Sequence, residues 1–179
     1  MKSFVTSDNH FGHENIIRFC NRPFKNVEDM NATMIERWND VVGDHDMVYH
    51  LGDLTLNGQG YANDIISQLN GLIYFITPNW HHDKRWYRND GGHVSKSGHK
   101  VVMMPALHLL KYIGHKITLC HYPMEEWEAS FHGTYHFHGH SHGNAKEKPW
   151  RFDVGVDVWG FTPIEIDYLL ELGQQIWER

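Results

Sequence analysis

Short runs of β-branched and aromatic residues recur through the first half of the chain and predict buried strands. SFVTS at 3–7 predicts the first strand, and MVYHLGD at 47–53 predicts a second that ends in Gly-Asp. LIYFIT at 72–77 predicts a third, which ends at Pro78 because proline cannot donate a backbone hydrogen bond.

Two of the segments between these strands have the periodicity of amphipathic helices. In the segment 27–42, four apolar residues recur at helical spacing with charged residues between them: Met30, Met34, Trp38 and Val41. The segment 61–70 predicts a second helix, which Gly71 stops. Strands and helices therefore alternate in this part of the chain.

The second half of the chain is dominated by strand-like runs joined by short turns. These runs are 100–104, 106–113, 116–121 and 151–160. The tail 166–177 predicts a helix that is started by a capping-box arrangement of Thr162, Pro163 and Glu165. The change from alternation to hairpin-like strands predicts an α/β fold, a layered sandwich of mixed β-sheets flanked by helices, in one domain over residues 1–179.

Four imidazoles occupy alternate positions in YHFHGHSHGN, residues 135–144: His136, His138, His140 and His142. In an extended strand this period of two points all four side chains to the same face. Gly139 and Gly143 break that pattern and predict a strand that runs out into a loop near Gly139. The alternation alone does not choose between a functional site and a packed strand.

The composition adds one unusual feature, an excess of histidine. The chain has 179 residues, 41% of them hydrophobic, and its 16 histidines favour metal or proton chemistry. The net charge of −6 argues against a generic binder of nucleic acid or anionic membranes, because such proteins use a positive field. A phosphate substrate stays compatible with this charge if bound cations reverse its sign locally.

The cysteines and the apolar runs bear on location. Cys20 and Cys120 are far apart in the sequence and predict two reduced, packed thiols. The N-terminal MKSFVTSDNH has no apolar signal region, and no apolar run approaches the roughly 20 residues that a membrane span needs. We therefore expect a soluble, cytoplasmic protein with no membrane partner.

Polar residues that suit a metal ion follow the predicted strands: Asp8, His10, Asp53, Asn79, His121, His140 and His142. Ligands at the carboxyl ends of different strands converge at one rim of a sheet, where α/β proteins build their sites. A mixture of carboxylate, imidazole and amide oxygen favours borderline divalent ions such as Mn, Fe, Zn, Ni or Co. Without paired cysteines, a closed structural zinc site is not expected.

Five short blocks of the sequence come in a recognisable order: SDNH, LGD, PNWHHD, LCHYP and HGHSHG. With this order and spacing the chain resembles the calcineurin-like metallophosphoesterases. HFGHENIIRFCNRPF and GVDVWGFTP make it similar to a small bacterial and phage branch of that superfamily. The resemblance covers most of the chain and implies the fold of that superfamily with a site for two divalent metal ions.

The resemblance also implies a role for each candidate ligand. The first metal would be held by Asp8, His10 and His142. Asp53 would bridge both metals. The second metal would be held by Asn79, His121 and His140. The remaining two histidines of the alternating run, His136 and His138, are expected to be strand residues or to support the ligands.

One block departs from the family pattern. The family has Gly-Asn-His-Asp where this chain has PNWHHD, so a proline replaces the glycine and two residues separate Asn79 from a His-Asp pair. In the family that histidine lies near the leaving-group oxygen and is the proposed general acid. Either His81 or His82 would have this role here, and His82 is favoured because Asp83 follows it.

Two further residues are candidates for contact with a substrate. His13 lies three residues after His10 and would face the substrate, or else would begin a surface helix. Arg22 would hold a phosphate or a nucleotide, although surface charge is the usual explanation of such a residue. His50, before Leu51-Gly52-Asp53, is expected to be a buried, hydrogen-bonded strand residue.

The predicted function is a metal-dependent phosphoesterase that hydrolyses phosphomonoester or phosphodiester bonds through a dinuclear centre with a metal-activated water. Its partner would be a small phosphate-ester substrate such as a nucleotide, with no extended nucleic-acid surface. Two alternatives stay open. One is a small nuclease, against which the acidic balance counts. The other is a metal-binding scaffold of the same fold without hydrolytic activity, which the altered PNWHHD block favours.

Overall fold

Two β-sheets form the framework of the chain in a computed structural model, which describes residues 1–77, 82–87 and 92–177. The strands are β1 (Ser3–Thr6), β2 (Met47–His50), β3 (Leu72–Ile76), β4 (Val102–Met104), β5 (Leu107–Tyr112), β6 (His115–Cys120), β7 (Tyr135–His138), β8 (Arg151–Asp153) and β9 (Ile164–Glu165). The helices are α1 (Glu14–Phe19), α2 (Val27–Val41), α3 (Gln59–Ile66), α4 (Lys84–Tyr87) and α5 (Ile166–Trp177). A 3₁₀ turn lies at Ser130–His132.

Both sheets are mixed, as the sequence predicts. The first has the order β4-β3-β2-β1-β9, in which β1 to β4 are parallel and β9 is antiparallel to β1. The second has the order β5-β6-β7-β8, in which β6, β7 and β8 are parallel and β5 is antiparallel. The parallel strands of each sheet end at a common edge, and the candidate ligands follow those ends.

Alternation along the strands of the first sheet divides the core in two. Phe4 and Val48 point to a cluster shared with α2 and α3, whereas Val5 and Tyr49 point to a cluster shared with the second sheet. Because successive strand residues face opposite sides, a continuously apolar strand is buried on both faces. The chain is therefore layered: helices, first sheet, second sheet.

Helix α2 confirms most of its predicted pattern. Met30, Met34 and Trp38 are buried against the first sheet, and the side chain of Asn26 caps the helix by accepting a hydrogen bond from the Asp29 amide. Val41, the fourth apolar residue of the predicted pattern, does not share this burial. The backbone is extended at the residue after the helix, which is also a valine. That valine packs into the core, while Val41 stays partly exposed.

Two predictions for the C-terminal part are wrong. The strand predicted over 151–160 ends at Asp153, and the buried Val154 and Val156 that imitate a strand pattern belong to a loop. The predicted capping box is absent, since Ile164–Glu165 forms strand β9 beside β1 and the Thr162 hydroxyl contacts the Gly160 carbonyl. Pairing with a distant strand outweighs the local capping signal here.

The described residues also show the state of the cysteines and the lengths of the apolar helices. Cys20 and Cys120 are both free thiols, as predicted. Among the described residues, no helix combines the length and the apolar character that crossing a bilayer requires.

Candidate metal centre

The loops that follow β1 and β2 run side by side at the carboxyl edge of the first sheet. The Asp8 amide donates to the Gly52 carbonyl at 3.0 Å, and the His10 amide donates to the Asp53 carbonyl at 2.9 Å. These bonds continue the parallel pairing of the two strands beyond their ends. These backbone contacts help to hold the side chains of Asp8, His10 and Asp53 close together.

Six candidate ligands form two groups at this edge. The first ligand group is Asp8, His10 and His142. The second ligand group is Asp53, His121 and His140. Within each group, one donor atom per side chain lies within 4.8 Å of the others. The grouping coincides with the two sets that the sequence resemblance implies, except that Asn79 lies outside the described residues.

One carboxylate oxygen joins the two groups. Oδ2 of Asp53 lies 3.4 Å from Nε2 of His10 and 3.6 Å from Nε2 of His121. Two ligand atoms on one tetrahedral ion with bonds of about 2.1 Å are about 3.4 Å apart. The Asp53 oxygen therefore lies about as far from His10, and from His121, as two ligands of one ion lie from each other.

The backbone at these positions is strained. Positive φ angles occur at Asp8 (62°), His10 (54°), Asp53 (57°), His140 (68°) and His142 (46°). A left-handed conformation costs a residue other than glycine roughly 1–2 kcal/mol. Such strain persists where the surrounding structure over-determines it, and it concentrates at functional sites. Its occurrence at five of six described ligand positions indicates that the loops are shaped to bring these side chains together.

The donor atoms are arranged as ligands. Both ring nitrogens of His10 are buried and have no hydrogen-bond partner among the described residues. Nδ1 of His121 lies 2.9 Å from the Leu51 carbonyl, which directs its Nε2 toward Asp53. Two carboxylates and four imidazoles suit borderline divalent ions, and a buried imidazole without a partner is costly unless an ion satisfies it. The residues present therefore fit a pair of such ions.

Burial also sets the protonation of the ligands. It raises the pKa of the Asp8 carboxyl to about 8, with a further contribution from the charge of Asp53. Burial lowers the pKa of His10 well below its usual value. A protonated carboxyl and a neutral imidazole are the forms that low-dielectric surroundings favour without a cation. A divalent ion would replace the Asp8 proton and leave the imidazole neutral.

A glycine allows the histidine loop to reach Asp8. Gly139 follows β7, and a Cβ at this position would collide with the side chains of Ser7 and Asp8. The next amide, that of His140, donates to both carboxylate oxygens of Asp8 at 3.0 and 2.9 Å. The predicted end of the strand near Gly139 is therefore confirmed.

The alternating histidines separate at this glycine. His136 and His138 are buried strand residues, and each places Nδ1 2.9 Å from a backbone carbonyl, of Thr118 and Gly139 respectively. His140 and His142 lie in the ligand groups beyond the strand. His50 is also buried as predicted, with Nε2 2.8 Å from the Asn9 side chain.

Two histidines border the cluster on its open side. The His13 ring is centred 5.7 Å from that of His10, and the exposed His82 ring is also 5.7 Å from that of His10. The structure therefore brings both predicted residues to the cluster. His81, the other candidate acid, lies outside the described residues.

The reason for preferring His82 is not supported. Asp83 is buried, and its carboxylate accepts hydrogen bonds from the amides of Asp53 at 2.7 Å and Leu54 at 3.0 Å. It also accepts from the indole of Trp86 at 3.1 Å. Asp83 thus holds the loop that carries Asp53. Sequence reasoning missed this role because the partner loop is 30 residues away.

The structure gives Arg22 partners within the protein, which does not support its prediction as a substrate contact. Its side chain is fully buried, and its guanidinium forms hydrogen bonds with Asp157 at 2.8 Å and with the Asp8 and Asn9 carbonyls. The group is therefore saturated by the protein's own acceptors.

Two more aspartates that sequence reasoning missed support the histidine loop. Asp153 accepts hydrogen bonds from the Ser141 hydroxyl at 2.6 Å and the Gly143 amide at 2.8 Å. Asp157 lies 2.7 Å from Nδ1 of His142. The only sequence signal for Asp157 is its place in the GVDVWG turn, where the strand-like pattern concealed it.

Together, the layered fold and the two ligand groups define an α/β sandwich protein with a candidate dinuclear metal centre. No family model matches the sequence. The Uncharacterized protein MJ1445 of Methanocaldococcus jannaschii is 38% identical over 180 residues, which cover 96% of this chain and 90% of that protein. The chain belongs to the same family as this archaeal protein.

Two further likenesses are more distant. The Gene 66 protein of Mycobacterium phage L5 is 27% identical over 191 residues, covering 88% of this chain and 87% of that protein. The crystal structure of AQ665 from Aquifex aeolicus, a protein of unknown function, matches with a TM-score of 0.70 over 96% of this chain and 98% of that chain. At 22% identity this match shows the fold alone.

Proposed function

We propose that the protein is a metal-dependent phosphoesterase of the calcineurin-like type, acting on small phosphate esters. The observation that carries this proposal is the position of Asp53, whose Oδ2 lies within 3.6 Å of an imidazole from each ligand group. When bound, two divalent ions would activate a water molecule and neutralise the charge of a phosphate. The cytoplasmic location is part of the same proposal, and the two free thiols support it.

The protein's own residues have separate tasks in this proposal. Asp53 would contribute to both ion positions, and the other five described ligands would complete them. His140 is exposed and the remaining ligands are more buried, so a substrate would approach from the side of His140, His13 and His82. An imidazole on that side is placed to donate a proton to a leaving group, which contributes roughly 100- to 10,000-fold to a rate.

The test is hydrolysis of p-nitrophenyl phosphate and bis-p-nitrophenyl phosphate by the chelated protein after addition of Mn²⁺, Ni²⁺ or Zn²⁺. We expect metal-dependent release of p-nitrophenol by the wild type and its loss in Asp53→Asn. Asp40→Asn, at an exposed position of α2, is the matched control and should retain full activity. Two bound ions without hydrolysis of either ester, or of a short single-stranded oligonucleotide, would favour a metal-binding scaffold. Cleavage of the oligonucleotide alone would favour a nuclease.

A further inference from the structure

A buried ion pair lies directly behind the first ligand group. The carboxylate of Asp157 accepts two hydrogen bonds from Arg22, one from Nε and one from a terminal nitrogen, each 2.8 Å long. The side chains of Arg22 and Asp157 are 0% and 9% exposed. A planar guanidinium and a carboxylate in this paired geometry restrict each other's orientation, which a single point charge does not do.

The same carboxylate also contacts the imidazole of His142, a member of the first ligand group. Oδ2 of Asp157 lies 2.7 Å from Nδ1 of His142, which leaves Nε2 of that imidazole for an ion. The His142 ring is nearly parallel to that of His10, with centres 5.3 Å apart. A carboxylate behind a ligating imidazole fixes the orientation of the ring and makes its other nitrogen a better donor.

The two terminal nitrogens of Arg22 reach the opposite loop. Nη2, which also binds Asp157, donates to the Asp8 carbonyl at 2.7 Å, and Nη1 donates to the Asn9 carbonyl at 2.8 Å, within the strained segment that carries Asp8 and His10. Arg22 therefore connects the loop after β1 with the loop after β8, and through Asp157 with the loop after β7. All three members of the first ligand group depend on this connection.

We infer that Arg22 and Asp157 are positioning residues that set the affinity of the first ligand group for a divalent ion. The inference rests on the proposed metal centre, but not on hydrolysis. The second ligand group has a different support, because the Leu51 carbonyl orients His121 and Asp83 holds the Asp53 loop. Loss of the Arg22–Asp157 pair therefore weakens one of the two ion positions selectively.

The test measures metal binding by the full chain. Apo-protein is titrated with Mn²⁺ while the concentration of free Mn²⁺ is followed by electron paramagnetic resonance. The spectrum of the bound ions shows the fraction that lies in pairs of neighbouring, magnetically coupled Mn²⁺ ions. The substitution His140→Ala removes a ligand of the second group, so the ion that still binds measures the affinity of the first group. We expect Asp157→Asn to lower that affinity about 10- to 100-fold. In the otherwise wild-type chain, the same substitution should reduce the coupled spectrum at equal Mn²⁺ loading.

Two companion variants keep the result decisive. Asn144→Ala is the matched control, because this side chain donates to the His142 carbonyl in the same loop without touching its imidazole, and its Mn²⁺ affinity should stay at the wild-type value. Arg22→Lys keeps the charge but loses the paired geometry and should give a smaller loss. If Asp157→Asn fails to fold, judged by near-ultraviolet circular dichroism, Arg22→Lys carries the test.

The outcomes separate this inference from the proposed function. Unchanged Mn²⁺ affinity of the first group in folded Asp157→Asn and Arg22→Lys overturns the positioning role. An equal loss at both ion positions also overturns it, since that result indicates general loosening of the fold. Selective weakening in a protein that hydrolyses no ester would sustain the inference while the proposed function fails. Wild-type protein that binds no ions refutes both.

Discussion

The buried carboxyl of Asp8 should make the metal-free protein less stable as the pH rises through neutrality. Burial, with a contribution from Asp53, raises the pKa of Asp8 to about 8 in the folded chain, against 3.8 in an unperturbed carboxyl. Between these values the native state holds a proton that the unfolded state has lost. The contribution of Asp8 to the free energy of unfolding therefore decreases with increasing pH in this window, opposite to the usual behaviour of a carboxylate.

The size of this contribution can be worked out, although other buried groups titrate over the same range. Burial raises the pKa of Asp83 to about 7, so Asp83 acts in the same direction as Asp8. His10, His50 and other buried histidines act in the opposite direction, because burial lowers the pKa of each and the unfolded imidazoles protonate near pH 6.5. For His142, burial opposes protonation, but the hydrogen bond and charge of Asp157 together with the charge of Asp8 outweigh it and raise the pKa, so its effect has the same sign as that of Asp8. From pH 6.5 to 8, Asp8 alone contributes about 1.4 kcal/mol per unit until the pH nears its folded pKa, or about 1.7 kcal/mol in total.

Urea unfolding followed by tryptophan fluorescence, in chelator and in saturating Mn²⁺, measures this effect. We expect the metal-free wild type to lose about 1.7 kcal/mol relative to metal-free Asp8→Asn from pH 6.5 to 8, since the other groups titrate in both proteins. In saturating Mn²⁺ the wild type should lose less over this range than the metal-free wild type, because the ion replaces the Asp8 proton. Asp8→Asn should also reduce stabilisation by Mn²⁺. Equal pH dependence of the metal-free wild type and metal-free Asp8→Asn would refute the reasoning.

Four substitutions test the remaining features of the site. Asp53→Ala should abolish phosphoesterase activity and lower the number of ions bound per chain, measured by elemental analysis; full activity in this variant would contradict a dinuclear centre. His82→Ala should keep the ions and lose rate mainly on esters with poor leaving groups, and an equal loss on all esters would contradict a role as proton donor. Asp83→Ala leaves several buried donors without an acceptor and, at about 1–3 kcal/mol each, should lower the free energy of unfolding by more than about 3 kcal/mol; a loss below about 1 kcal/mol would contradict that accounting. Gly139→Ala should weaken Mn²⁺ binding and stability together, because the added Cβ meets Ser7 and Asp8, and wild-type Mn²⁺ affinity would show that the loop can shift.

Much of the framework follows from local pattern. Strands β1, β2 and β3 and helix α2 were predictable because each buries an apolar side at a period that the sequence displays. The candidate ligands were predictable for a related reason. They come directly after strand ends, and parallel strands carry the residues after their ends to a common edge.

The supporting residues were not predictable in the same way. Asp83, Asp153 and Asp157 act on loops that are distant in sequence, so no local spacing distinguishes them from surface aspartates. Arg22 looked like a free cation for the same reason, although its partner Asp157 is 135 residues away. Strand β9 is only two residues long and exists because it pairs with β1.

The divergence of the four alternating histidines depends on backbone geometry more than on imidazole chemistry. Up to His138 the chain is a strand, and the imidazoles are held by backbone carbonyls. At Gly139 the missing side chain lets the backbone pass against Asp8, and the His140 amide then binds that carboxylate. Beyond this contact, positive φ angles at His140 and His142 direct one ring into each ligand group. The same residue type at the same spacing thus supports the sheet on one side of a glycine and forms candidate ion sites on the other.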